Sequence, residues 1–235
     1  MLKPHSILVI AGTDSSGGAG LSRDVAVATE LGFAVKPAVT AVTVQSNAAV
    51  RRVELIEADL VKAQIAAALE DDAPAAVKIG MLGDGAVVGA VADALQGRDL
   101  PIVLDPVIAS SSGAQLLSDD GIVAMKERLL PLVTLVTPNL PEAEILGVER
   151  LHNSCRAVLL KGGHGEGDVL RDVLMLSQCE TVFTAQTQAF TPRGTGCTLS
   201  TAIACGLADG LALAAAIRQA HHYVQNWISG LQASD

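Results

Sequence analysis

Aromatic residues are scarce in this chain: three Phe, one Trp and one Tyr, 2% of 235 residues. Half of the sequence is hydrophobic all the same, so the core has to be aliphatic, built mainly of Val, Leu, Ile and Ala. Basic residues are outnumbered, 16 Lys and Arg against 25 Asp and Glu, and the net charge is -9 with a pI of about 4.9. No basic patch of the kind that a nucleic-acid partner requires is visible. A phosphate ligand is still allowed, because backbone amides and a few local cations can hold one. The four cysteines, Cys155, Cys179, Cys197 and Cys205, make no CxxC pair and keep no metal-ligand spacing. The start offers only Lys3 and His5 before a short apolar run, Ile7 to Ala11. That fits neither a signal peptide nor a membrane span, and the expected location is the cytoplasm. The length suits one domain, residues 1–235, with a full core.

The stretch that organises the chain is Gly194-Thr195-Gly196-Cys197-Thr198-Leu199-Ser200. A polar extended run, Thr184 to Arg193, leads in, and an apolar helical pattern, Leu199 to Leu213, leads out. Two glycines at a loop-to-helix junction let backbone amides converge. The unpaired amides and the dipole of the first turn favour negative charge there. Cys197 stands where its side chain reaches the centre of such a site, and helix-terminal amides would make it more acidic than an ordinary thiol. A flexible connection with a small buried cysteine is the plainer alternative.

Ser6 to Ala11 reads as a buried first strand, followed by a loop, Gly12 to Gly20, with three glycines in its last four residues. The loop is neither a Walker A motif nor a good GxGxxG. Leu21 to Leu31 reads as a helix stopped by Gly32, with Asp24 in its first turns, where an acid complements the helix dipole. Ala34 to Val42 is a second strand that runs on as far as Asn47; Gln45 there offers a donor and an acceptor. Helices are expected over Glu57 to Glu70, Ala86 to Leu95, Asp119 to Leu129 and Ala212 to Trp227. Strands are expected over Ala75 to Leu82, Pro101 to Val107, Leu132 to Thr137 and Arg156 to Lys161, with a small antiparallel excursion from Asp168 to Phe190. Asp105 falls at a strand's carboxyl end, where open α/β sheets bind ligands; it could equally shape a turn. Asn139 and Glu142, three apart at a strand-to-helix junction, suit either a magnesium ion or a capping box. Lys161 offers a point charge to a phosphate. His164 has no triad pattern around it, and His221 and His222 read as helix surface and packing. The whole is an α/β, three-layer α/β/α sandwich with a mostly parallel central sheet.

Seven ordered segments carry a resemblance. They are Ala11 to Gly20, Thr40-Ala41 with Gln45, Lys78 to Leu82, Asp105-Pro106-Val107, Thr137 to Ala143, Lys161 to His164, and Gly194 to Ser200. Together they resemble the hydroxymethylpyrimidine/phosphomethylpyrimidine kinases of thiamine biosynthesis, in the ribokinase-like group, from about residue 6 to residue 227. That family phosphorylates 4-amino-5-hydroxymethyl-2-methylpyrimidine and then its monophosphate with MgATP. The resemblance implies that Gly12, Asp24, Gln45, Met81 and Val107 line the pyrimidine pocket. It puts Asp105, Asn139 and Glu142 on magnesium, and Lys161 and Thr195 on the nucleotide phosphates, where Arg193 would assist a phosphate or simply alter nucleotide access. Gly194, Gly196 and Cys197 supply the anion hole, and Cys197 stands at the place of the base. A homodimer is the implied assembly.

The chain also departs from the family pattern. Glu144 and Arg156 are only twelve residues apart, where members usually carry a further helix. Arg193 stands where His is frequent, and Ser111 where Lys or Thr is. Two rival readings follow: a pyridoxal kinase, which would use Gly12, Asp24 and Cys197 equally well, and a non-catalytic pyrimidine-binding or regulatory protein with a reduced nucleotide site.

Overall fold

The computed structural model describes residues 5–70, 72–110, 112–162, 169–177, 179–186 and 192–232. Ser111, Gly163, His164, Asp168 and Phe190, all named above, lie outside the described residues. In chain order the elements begin β1 (Ser6–Ala11), α1 (Gly20–Glu30), β2 (Ala34–Val39), β3 (Ala41–Gln45), β4 (Val50–Leu55) and α2 (Ala58–Glu70). Next come β5 (Ala76–Ile79), α3 (Gly85–Leu95), β6 (Ile102–Leu104), α4 (Asp119–Ala124), β7 (Leu135–Val136), α5 (Leu140–Leu146) and α6 (Val148–Ser154). The chain closes with β8 (Val158–Lys161), β9 (Val169–Met175), β10 (Glu180–Gln186), α7 (Thr195–Ala208) and α8 (Leu213–Gln232).

Among the described residues, eight strands form one sheet in the order β10-β9-β8-β7-β6-β5-β1-β2. The strands from β2 across to β8 are parallel; β9 and β10 add an antiparallel edge. Strands buried on both faces read as unbroken apolar runs, which is why these segments stand out in the sequence. Successive residues point to opposite faces. Leu8, Ile10, Val77, Ile79 and Leu104 pack with Val61, Ile65 and Val91 of α2 and α3. Val103, Leu135 and Leu159 pack on the other face with Leu199, Ile203, Ile217 and Val224 of α7 and α8, and Val27 of α1 joins them. The result is the expected three-layer sandwich. No helix among the described residues is long and apolar enough to cross a membrane.

Four details differ from the sequence reading. The second strand ends at Val39, and β3 leaves the main sheet to pair with β4 in a separate two-stranded sheet. β4 gives no clean alternation because most of its side chains are exposed. The helix expected over Asp119 to Leu129 is α-helical only to Ala124, then widens through a π turn, Met125–Leu129, and tightens in a 3₁₀ turn, Leu130–Leu132. The twelve-residue gap after Glu144 does hold a further helix, α6, entered through Gly147 at φ 85°.

Candidate active site

The parallel strands deliver Gly12, Met81, Asp105, Asn139 and Lys161 to one edge of the sheet. The amino end of α7 and the β3–β4 sheet close over them around a cavity of about 330 Å³. Gly194 turns the chain into α7 with φ 80°, and a Cβ there would collide with the Gly18 carbonyl. The glycine loop and the start of α7 are therefore in direct contact. The first-turn amides precede the first helical bond, from the Thr198 N–H to the Gly194 carbonyl at 2.8 Å. Gly196 packs against a charged pair: a Cβ there would stand 3.4 Å from Lys161 Nζ and 3.5 Å from Asp105 Oδ2. Lys161 Nζ donates to Asp105 Oδ1 at 3.0 Å. Burial opposes the Lys161 ammonium, but Asp105 and Glu142 outweigh it and hold its pKa above the usual value.

Asn139 and Glu142 form a complete capping box. The Glu142 N–H donates to Asn139 Oδ1, and the Asn139 N–H to Glu142 Oε2, both at 2.9 Å. Both residues also line the cavity. Burial and the charge of Asp105 push the Glu142 carboxyl up to about 7.

The opposite wall carries Gly12, Gln45, Met81 and Val107. A Cβ on Gly12 would stand 3.0 Å from Met81 Sδ, so glycine lets the methionine reach over. Ser15 clasps the Gln45 backbone twice, at 2.8 and 2.9 Å, and Thr43 Oγ1 donates to the Thr13 carbonyl at 2.8 Å. Arg193 ties three segments at the mouth: Nη2 to Asp14 Oδ2 at 3.2 Å, Nη1 to the Ser46 carbonyl at 2.9 Å.

Three expectations need correction. Asp24 does not line the cavity; it is wholly buried beneath it, paired with Lys78 Nζ at 2.6 Å and accepting the Thr201 hydroxyl at 2.8 Å. Thr195 also stays off the cavity wall, because its hydroxyl donates to the Pro192 carbonyl at 2.7 Å. Cys197 does line the cavity, half-buried, but it is not an acidic thiol. Burial pushes it up to about 11, and Lys78 pulls the other way without overcoming it. Two residues had no assigned role. Asp14 gathers the Ser16 and Ala19 amides, each at 2.9 Å, and its signal was an Asp opening a Ser-Ser-Gly turn. Lys78 lies fully buried on the cavity wall, and its signal was one charge inside an apolar strand.

A family model described as phosphomethylpyrimidine kinase matches residues 14–234. The hydroxymethylpyrimidine/phosphomethylpyrimidine kinase of Streptomyces coelicolor is 36% identical over 96% of this chain and 89% of its own length. The chain belongs to the phosphomethylpyrimidine kinase family. Its ribokinase-like fold agrees: the phosphomethylpyrimidine kinase structure from Clostridium difficile superposes with a TM-score of 0.83 at 33% identity, covering 95% of this chain and 99% of that one. The pyridoxal kinase of Staphylococcus aureus in complex with pyridoxal superposes as well, with a TM-score of 0.84 at 26% identity, over 94% of this chain and 87% of that one. As a family member the chain is a phosphotransferase.

Proposed function

We propose that the protein phosphorylates 4-amino-5-hydroxymethyl-2-methylpyrimidine and then its monophosphate, with MgATP as the donor. One observation carries the reading: a single cavity sets Gly12, Gln45 and Met81 against Cys197, the α7 amides and the Lys161–Asp105 pair. Gln45 presents a donor and an acceptor to the edge of an aminopyrimidine. Lys161 and the amides of Gly194, Gly196 and Cys197 face the phosphoryl group in transfer. Rate enhancement comes mainly from positioning and from these fixed charges.

In the first step the substrate oxygen bonds to the γ-phosphorus, and the bond from that phosphorus to the ADP oxygen breaks with its electron pair leaving on ADP. The hydroxyl proton goes to the Cys197 sulfur. Acceptance requires the thiolate, so Cys197 has to release its own proton to solvent as the site loads, with Lys78 and Lys161 as the cations beside it. In the second step the attacking group is a phosphate oxygen, already ionised near neutral pH, and no base is needed.

Magnesium fits the residues present. Asp105 and Glu142 offer hard oxygens, and their mutual repulsion is one a divalent cation would relieve. Among the described residues no cluster of His, Cys, Asp or Glu could hold a metal alone. Magnesium suits this, since it is held by one or two carboxylates together with substrate phosphates. It would neutralise phosphate charge. Asn139, whose oxygen already accepts from Glu142, serves to seat that carboxylate.

The test is turnover with hydroxymethylpyrimidine, its monophosphate and pyridoxal, each with ATP and Mg²⁺. Both pyrimidines should be consumed with matching ADP release, and pyridoxal far more slowly. Preference for pyridoxal would make the protein a pyridoxal kinase. Pyrimidine binding without ADP release would make it a non-catalytic binder.

A further inference from the structure

Lys78 is an unexpected occupant of β5. It is fully buried among Ala76, Val77 and Ile79, and a buried ion pair seldom stabilises a fold more than packed apolar side chains would. Val77 and Ile79 pack toward α2 and α3, so Lys78 points to the layer that holds α1 and α7. There its Nζ meets Asp24 of α1, and Asp24 in turn accepts from Thr201 of α7. Three elements fix one ammonium. Asp24 takes one of its three donors. Two residues on, Gly80 has no side chain, and a Cβ there would stand 2.9 Å from Nζ. Lys78, Gly80 and Cys197 all line the same cavity.

We propose that Lys78 is a positioning residue for phosphoryl transfer: a cation held by Asp24 and Thr201 that compensates the negative charge gathering at the Cys197 sulfur. The proposal rests on the assignment of Cys197 as proton acceptor. The charged groups facing Cys197 are Lys78 from β5, Arg23 and Asp24 from α1, Asp105 beyond β6 and Lys161 at the end of β8. Asp24 and Asp105 oppose a thiolate. Arg23 is engaged elsewhere, with its Nε on Thr198 Oγ1 at 3.0 Å and its guanidinium 3.8 Å from the Trp227 ring centre. Lys161 is engaged by Asp105. Lys78 is paired too, with Asp24, but its anchor Thr201 stands four residues after Cys197 on α7, so this cation is fixed next to the helical turn that carries the sulfur.

The experiment is alkylation by iodoacetamide at pH 8, with each cysteine followed by mass spectrometry in the wild type and in Lys78→Met. Thiolates alkylate, so the rate at fixed pH falls about tenfold for each unit by which a thiol pKa rises. Cys197 should react at least about tenfold more slowly in Lys78→Met, while the exposed Cys179 in the same sample keeps its rate. An equal or faster rate at Cys197, as a merely loosened site would give, overturns the proposal. If Lys78→Met fails to fold around a lone buried carboxylate, Lys78→Met with Asp24→Asn removes both charges. A smaller slowing in the same direction is expected there, because Lys78 pulls on Cys197 more than Asp24 pushes, and an unchanged rate overturns the proposal. Slowed alkylation combined with undiminished turnover of hydroxymethylpyrimidine by Cys197→Ser would show the coupling of Lys78 to Cys197 but overturn the base, and with it the role of Lys78 in transfer.

Discussion

The two sides of the cavity are built from different materials. The side proposed for phosphate transfer rests on central parallel strands and the start of α7. Its charges come as buried pairs, Lys161 with Asp105 and Lys78 with Asp24. The side proposed for the pyrimidine includes the two-stranded β3–β4 sheet, which shows Val42 and Val44 to solvent at 48% and 52% exposure. A two-stranded sheet is marginal alone; here Thr13, Ser15 and Arg193 fasten it to the rest. The contrast assigns rate to the buried side and affinity to the attached sheet. Substitutions on the two sides should therefore separate kcat from KM.

Among the substitutions that compare the two sides, the largest effect is expected from Lys161→Met. It removes a fixed charge from the transferring group and leaves Asp105 unpaired, and kcat should fall by about two to three orders of magnitude with pyrimidine affinity largely kept. Steady-state kinetics together with pyrimidine calorimetry check this; a change confined to KM would erase the contrast.

Next is the pH dependence of magnesium. Glu142 titrates near 7 in the empty site, so below that pH a cation must displace its proton. Apparent Mg²⁺ affinity should fall by up to about tenfold per pH unit below 7 and level off above about 8, and Glu142→Gln should flatten the slope. Titrating activity with Mg²⁺ at several pH values reads this directly. For the empty protein the linkage has the opposite sense. The folded state holds this proton more tightly than the unfolded one, so Glu142's contribution to stability is lost as pH rises from about 4.5 through 7.

On the pyrimidine side, Gln45→Ala should raise KM for hydroxymethylpyrimidine about 5- to 20-fold, the worth of one or two hydrogen bonds, and barely move kcat. Arg193→Ala should act least, with a KM increase of about threefold, because it loses a partly exposed tie between the glycine loop and the β3–β4 sheet. Inhibition or binding curves for the pyrimidine test both; equal loss of kcat in either would show that the attached sheet also shapes the transfer.

The layered fold was legible because its parallel strands are mostly apolar and its helices begin and end at glycines and polar turns. β4 was not, since a strand with little buried surface leaves no alternation to read. For the site, it was the family resemblance that gathered Gly12, Gln45, Met81, Asp105, Lys161 and Cys197, which the structure sets around one cavity. Burial was the missing quantity. Asp24 in a first helical turn looks the same in sequence whether it faces solvent or Lys78. The start of α7 announces positive potential at Cys197, but the desolvation that outweighs it depends on the glycine loop packed above. Lys78 belongs to the same lesson, a charge whose partner lies fifty-four residues away.

The central claim is that Cys197 takes the proton of the substrate hydroxyl, and Cys197→Ser tests it most directly when both phosphorylations are measured on one enzyme sample. The first step has a hydroxyl nucleophile and should slow by about 10²- to 10⁴-fold. The second has an ionised phosphate nucleophile and should stay within about threefold of the wild type. Equal loss in both steps, or no loss in the first, would contradict the account and leave Cys197 as part of the cavity wall alone.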